Sequence, residues 1–395
     1  MENPYALARG QAERSPEFID LIDTNFHSCG FPFPAPRLHR AARRYFRRHS
    51  LRHYSPDPAG DSRLRTVIAD YYRKAGLAAH ADQVVITASA SESYSHVFAS
   101  HCAPGDRIVL PRPSYPLFEE VALRHGVHVD FYEQRSDHGW RLDVDRLAAE
   151  ITPDTRGIVL ITPNNPTGHI ADSDEINRIL ELCNRHALFL IVDEVFSGII
   201  FRPGPLTRPA SLSSDVVIFT LNGVSKLFAS PDLKVSWILV TGPEERRIGA
   251  IEALQIQNDL FLSASPLTQH LVIHLFEAGW GFTESMRDVI AERRAVALEV
   301  LGEISGLRTI PPGGGIHLPL LLDPALLTGN TDDEEIAVRL LARYRVAVHP
   351  GYLYGFAEPA LVMSYLPPAS RLRPGIERIA RCLGDLRSSA AAQGQ

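Results

Sequence analysis

The chain has 395 residues, 45% of them apolar and 22% charged, with a formal net charge of −6 at pH 7. Such a chain is long enough for two packed units and too apolar for disorder, and its acidic balance argues against general nucleic-acid binding. No apolar run reaches bilayer-spanning length and the first residues (MENPYALARGQAERSPEF) hold no apolar signal region, so a membrane role is not expected and the expected location is the cytoplasm.

Near the N-terminus, Arg40, Arg43, Arg44, Arg47, Arg48 and Arg52 form a basic cluster that reads as a solvated or interface helix face. From about Gln83 to Gly242, short aliphatic runs alternate with amphipathic stretches. QVVIT, DRIVL, VHVDFY, RGIVLIT, LFLIVD, DVVIFTL and SWILVTG are the predicted strands. DSDEINRILELCNRHA is a predicted helix between two of them, with Ile176, Ile179, Leu180 and Cys183 on one face. Alternation of this kind implies an α/β fold with a mostly parallel sheet covered by helices on both sides. From Pro243 to Ile304 the pattern is helical, and the rest is α+β, with LRTI, HLPLLL, VAV and LVMSY as strands and DDEEIAVRLLARY and PGIERIARCL as helices. The expected architecture is a large domain over 49–285 and a smaller α+β domain made from both chain ends. An N-terminal arm (1–48) and a C-terminal part (286–395) supply the latter, bridged by the helix after Thr283. Cys29, Cys102, Cys183 and Cys382 lack paired metal spacing and read as reduced thiols, and no metal site is expected.

Three motifs carry chemistry. Asn164-Asn165-Pro166-Thr167-Gly168 follows ITP, Asp193-Glu194-Val195-Phe196 follows LFLIV, and Ser225-Lys226 follows DVVIFTL. An amide, a carboxylate and an amine therefore stand at the ends of three strands, where open α/β sheets place ligands. Pyridoxal 5′-phosphate requires such a set: a lysine for a Schiff base, a carboxylate that keeps the pyridine nitrogen protonated, and a donor to the phenolic oxygen. Each motif alone has a plainer meaning. A strand-end lysine is commonly a surface charge, the aspartate a helix cap, and NNPTG a turn. Their joint order is what the plain meanings leave unexplained.

The whole chain from Tyr54 to the last helix resembles the class I and II aminotransferases, the aspartate-aminotransferase type (fold type I) of pyridoxal-phosphate enzymes. The resemblance implies Lys226 as the covalent and catalytic lysine, Asp193 on the ring nitrogen, and Asn165 on the phenolic oxygen. It implies Tyr115 (in RPSYPLF) on the ring face. Ser89, Ala90 and Ser91, opening a helix after VVIT, would hold the phosphate together with Ser225 and Lys234, the latter where the family usually has arginine. Tyr54, in HYSPDPAGDSRLR, would reach the phosphate of a neighbouring subunit, which implies a homodimer with shared sites. The partners would be a small amine or amino acid and a keto acid.

Two departures stand out. Phe196 occupies the place of a tyrosine that donates to the ring oxygen, a change expected to raise the Schiff-base pKa and leave Asn165 as sole holder. Val362, in LVMSYL, occupies the place of the arginine that pairs with the substrate carboxylate. His27 and Ser28 of the segment NFHSCGFPFP, and Arg37, are the substitutes the sequence offers; His317, after the Gly313-Gly314-Gly315 turn, and His349 also border the site in relatives. The reading is an aminotransferase with atypical substrate recognition. Its rivals are a lyase or specialised biosynthetic enzyme on an unusual amine, and a non-catalytic cofactor-binding regulator.

Overall fold

The computed structural model describes residues 3–51, 56–261, 264–327 and 332–393. Helix α1 (Pro4–Ala12) is capped by Asn3, whose side chain accepts from the Tyr5 and Ala6 N–H groups. A two-residue strand β1 (Ile19–Asp20) precedes helices α2 (Ala35–Arg47) and α3 (Ser62–Lys74). There follow β2 (Val84–Thr87), α4 (Ala90–His101), β3 (Arg107–Arg112), α5 (Leu117–Arg124), β4 (His128–Glu133), α6 (Val144–Ala149) and β5 (Thr155–Ile161). Next come α7 (Ser173–Arg185), β6 (Phe189–Asp193), β7 (Ile218–Gly223), the single turn α8 (Val224–Leu227) and β8 (Ser236–Thr241). Each of the seven strand runs read from the sequence thus becomes one strand. The helical stretch resolves into α9 (Glu244–Phe261), α10 (Pro266–Ala278) and the 23-residue α11 (Trp280–Gly302).

Strands β2 to β8 form one sheet in the order β2-β8-β7-β6-β5-β3-β4. The pairs among β3 to β7 are parallel, and β8 lies antiparallel between β7 and β2. Strands β5, β6 and β7 are mostly apolar along their length because helices cover both faces, so neither face alternates to polar residues. Helix α7 begins at a capping box in which Asp172 accepts from the Glu175 N–H and Glu175 accepts from the Asp172 N–H.

The second unit contains β9 (Leu307–Arg308), β10 (His317–Leu322), α12 (Asp333–Arg339), β11 (Val346–Ala347), β12 (His349–Pro350), β13 (Ala360–Ser364) and α13 (Ala369–Gln393). Strands β12-β13-β10-β9 make an antiparallel sheet, while β1 pairs in parallel with β11. The N-terminal segment therefore enters the C-terminal unit as a strand. Tyr5, Leu21, Phe26 and Phe31 share a core with Leu318, Leu320, Met363 and Ile376, as a small domain built from both chain ends requires. Helix α13 continues to Gln393, well past PGIERIARCL. Arg40, Arg43, Arg44 and Arg47 of α2 and the following Arg48 are exposed, as either a solvated or an interface face would be, and Arg52 lies outside the described residues. All four cysteines are free thiols; among the described residues no cluster fit to hold a metal ion occurs, and no helix is long and apolar enough to cross a membrane.

Candidate active site

The sheet register aligns the three motifs. Ile161 pairs with Asp193 and Asp193 with Leu221, so the C-terminal ends of β5, β6 and β7 lie in one row. Asn165 follows the first end, Asp193 closes the second, and Lys226 lies in the turn of helix after the third. Because β8 runs the other way, its N-terminal end reaches the same edge: Gly223 pairs with Ser236, and Ser236 with Thr87. A Cβ at Gly223 would lie 2.3 Å from the Ser236 Oγ, which is why this position is glycine. Lys234 before β8, and Ser89 after β2, are thereby delivered to the same sheet edge as Ser225 and Lys226.

Lys226 is half-buried, with Nζ 5.3 Å from the centroid of the Phe26 ring. Burial depresses its amine to about 8, since a charged ammonium loses hydration there. Asp193 is only 2% exposed. Its Oδ1 accepts from the Val195 N–H (3.0 Å) and its Oδ2 from the Tyr94 hydroxyl (3.1 Å). Burial raises the carboxyl to about 6, against those two donors. The Oδ1 of Asn165 is buried without a hydrogen-bond partner among the described residues, while Asn164 spends its own oxygen on the Thr167 N–H and hydroxyl. Gly168 adopts φ +68°, and a Cβ there would strike Pro312 at 2.3 Å. The NNPTG turn thus both requires glycine and holds Asn164, leaving Asn165 for the site.

At the start of α4, Ser89 is the N-cap and its hydroxyl accepts from the Glu92 N–H (3.1 Å). Glu92 reaches back to the Ala88 N–H. The N–H groups of Ala90 and Ser91 find no partner among the described residues. A helix start with two free amides could hold a phosphate-sized anion. Ser225 is half-buried, and Lys234 is exposed in a left-handed backbone turn (φ +49°). Tyr115 is 41% exposed and packs edge-on against Phe118 (5.7 Å), which in turn lies on Tyr94 (4.4 Å).

Several sequence expectations fall elsewhere. His27 and Ser28 are exposed, and the Ser28 hydroxyl donates to Asp23 (2.6 Å); the residue of that segment facing Lys226 is Phe26, because the apolar side chain is the one the core draws inward. Arg37 donates to the Ala278 carbonyl at the end of α10, where a helix C-terminus attracts a cation. Tyr54 lies outside the described residues. Val362 is fully buried and pairs with Pro319 and His349. Leu361 and Met363 enter the small-domain core, so strand alternation turns Val362 and Ser364 to the face shared with His317. His317 lies near enough to Lys226 for that charge, after burial, to lower the imidazole to about 3. Phe196 is edge-on to His317 (6.3 Å) and His349 shares a hydrogen bond with the Tyr354 hydroxyl (3.0 Å).

Two groups escaped the sequence reading. Tyr94 looks like any core aromatic on α4 and declares itself only through Asp193. Arg208 comes from an irregular segment: it is 6% exposed, donates to Glu194 (2.9 Å) and to the Tyr71 hydroxyl (3.3 Å), and no spacing rule links it to Glu194.

The fold and this row of strand ends define the fold type I class of α/β aminotransferases. The chain belongs to the class I and II aminotransferase family, whose model matches residues 25–379; enzymes of that family depend on pyridoxal phosphate. It is 32% identical to an arginine–pyruvate transaminase of Pseudomonas aeruginosa, over 98% of this chain and 94% of that one. It is 27% identical to an alanine aminotransferase of Mycobacterium tuberculosis, over 76% and 71% of the two chains. Among solved structures, an Escherichia coli aminotransferase superposes with a TM-score of 0.88 at 24% identity, covering 97% and 95%. A mutant aspartate aminotransferase of Thermus thermophilus gives 0.85 at 25%, covering 97% of each. The protein is an aminotransferase, and the regulator reading gives way to an enzyme.

Proposed function

We propose that this aminotransferase moves an amino group from an amino acid to a small keto acid, with pyridoxal phosphate carried on Lys226. The observation that supports this best is the row of Asn165, Asp193 and Lys226 at three adjacent strand ends. The residues fit the cofactor: two free backbone amides for its phosphate, a buried carboxylate for its ring nitrogen, and at Asn165 a side-chain amide whose N–H can donate to its phenolic oxygen. Bound there, the cofactor supplies a sink for the electron pair left at the substrate α-carbon. Lys226, with its amine depressed to about 8, is partly neutral near physiological pH and takes the α-proton. Asp193 would balance the charge on the ring nitrogen. Ala90, Ser91, Ser225 and Lys234 would hold the phosphate, and Tyr115 would offer an aromatic face to the ring. Phe196 has no hydroxyl to offer, which leaves Asn165 as the side-chain donor. Phe26 keeps water from Lys226. Pyruvate or alanine is the proposed small partner, because the relatives named above act on them. The test is an absorbance spectrum with a panel of amino donors: stoichiometric conversion to the amine form of the cofactor, with release of a keto acid, is expected. Ammonia release without that form would establish elimination instead.

The substrate carboxylate is proposed to meet the neutral imidazole of His317 and the Tyr354–His349 pair, in place of the arginine missing at Val362. Loss of a charge-assisted bond forfeits roughly 1.5–3 kcal/mol. Val362→Arg should therefore lower KM for aspartate and glutamate about tenfold or more, and His317→Phe should raise KM for the native donor. Efficient wild-type turnover of both dicarboxylates, unchanged by the arginine, would contradict the assignment.

A homodimer is proposed from the resemblance at Tyr54 and from the last turns of α9, where Ile256, Leu260 and Phe261 are 63–69% exposed. Single apolar side chains on a surface are ordinary, but three together on one helix end favour a covered face. Sedimentation should give twice the chain mass, and an active monomer would refute it.

A further inference from the structure

Resting on the cofactor assignment above, we infer that Tyr94 is a positioning residue for Asp193, fixing the carboxylate and keeping it anionic opposite the ring nitrogen. The Tyr94 side chain is fully buried on α4, and its hydroxyl donates to Oδ2 of Asp193 at 3.1 Å. The Val195 N–H holds the other oxygen. A carboxylate free to rotate at a strand end would present either oxygen at any angle. Held at both, it keeps one orientation and still has lone pairs for a ring N–H. The chemistry of the neighbours makes this donor matter. Burial favours the neutral acid, and so does the charge of Glu194, which Arg208 partly offsets. The Tyr132 ring, from β4, lies close to Tyr94, but its own hydroxyl is spent on the Val159 carbonyl (2.9 Å). Among these groups Tyr94 is the one side chain that donates to Asp193. Its other contacts, Phe98 and Phe118, are apolar rings that lock its orientation.

Tyr94→Phe removes one oxygen and leaves that packing in place. In the holoenzyme it should weaken cofactor retention about tenfold and lower kcat with little change in KM, since a hydrogen bond to a charged group is lost. The direction with pH follows from the same bond. A donor to the carboxylate stabilises the anion, so its loss raises the carboxyl pKa, and the acid limb of cofactor affinity should move up by about one unit. Tyr132→Phe is the control: equally buried, not bonded to Asp193, it should cost stability without moving the limb. The Asp193→Asn background supplies the second check, read as cofactor dissociation. There Tyr94→Phe should be nearly silent, because the partner that made it matter is gone, whereas a purely structural role would persist. An unchanged limb and affinity in Tyr94→Phe, or an equal shift in Tyr132→Phe, overturns the assignment while leaving the enzyme's function standing. A wild-type protein that takes up no cofactor overturns both.

Discussion

Lys226→Ala is expected to abolish transamination, with turnover down by at least about 10⁴-fold, because the proposed function gives one side chain both the covalent link and the proton transfer. Borohydride reduction of the wild type should trap cofactor on the peptide containing Lys226, and the variant should trap none. The fold should hardly notice. The amine sits where burial already penalises its charge, and it makes no hydrogen bond or ion pair among the described residues. Truncation therefore removes a desolvated group and strands no partner. Thermal unfolding of the variant without cofactor should match that of wild-type apoprotein. Trapping at another lysine, or turnover within a factor of ten, would show that the strand-end geometry has been misassigned.

Arg208→Leu is expected to have the largest effect on stability of any single change near the site. Glu194 is fully buried, and Arg208 is its ion-pair partner at 2.9 Å. Removing the guanidinium leaves a carboxylate without compensation in a dry interior, a change that costs about 3–5 kcal/mol. The sign with pH follows. Burial already raises the Glu194 carboxyl, and loss of Arg208 raises it further, so the folded variant prefers the protonated acid. The deficit should be largest at neutral pH, where an unfolded glutamate is charged, and should shrink as pH falls toward the ordinary carboxyl range. Urea unfolding at two pH values reads it directly. The double change Arg208→Leu with Glu194→Leu should recover most of the loss, because no charge is then stranded. A deficit independent of pH would mean that packing against Tyr71 and Tyr72, over which the guanidinium lies at 5.8 and 5.4 Å, dominates instead.

These two residues divide the information in the chain. That Lys226, Asp193 and Asn165 stand together was legible because each lies at or just after the end of a buried strand, and a strand announces itself by an aliphatic run a few residues long. Once the runs are recognised as parallel neighbours, their ends must share one edge, and any polar residue there faces the same space. The same local rules gave the sheet its seven strands and placed the Ser89 start of α4 directly after one of them. The β1–β11 pair and the core shared by Phe26 and Met363 join segments more than three hundred residues apart; a small domain made from both chain ends was expected, but no strand was read at Ile19–Asp20.

What only the tertiary structure decided are contacts between side chains whose sequence environments are silent. Tyr94 and Phe98 are both buried aromatics on α4, and Tyr94 reaches Asp193 because α4 packs over β7 and β8, next to the end of β6. Arg208 lies in an irregular stretch without period. In the segment NFHSCGFPFP the polar residues were the natural substrate candidates, but the core takes Phe26 toward Lys226 and turns His27 and Ser28 to solvent. Arg37 likewise ends on the Ala278 carbonyl. Periodicity tells which residues are buried; which buried polar group meets which depends on how two elements dock, and that is set by the whole core at once.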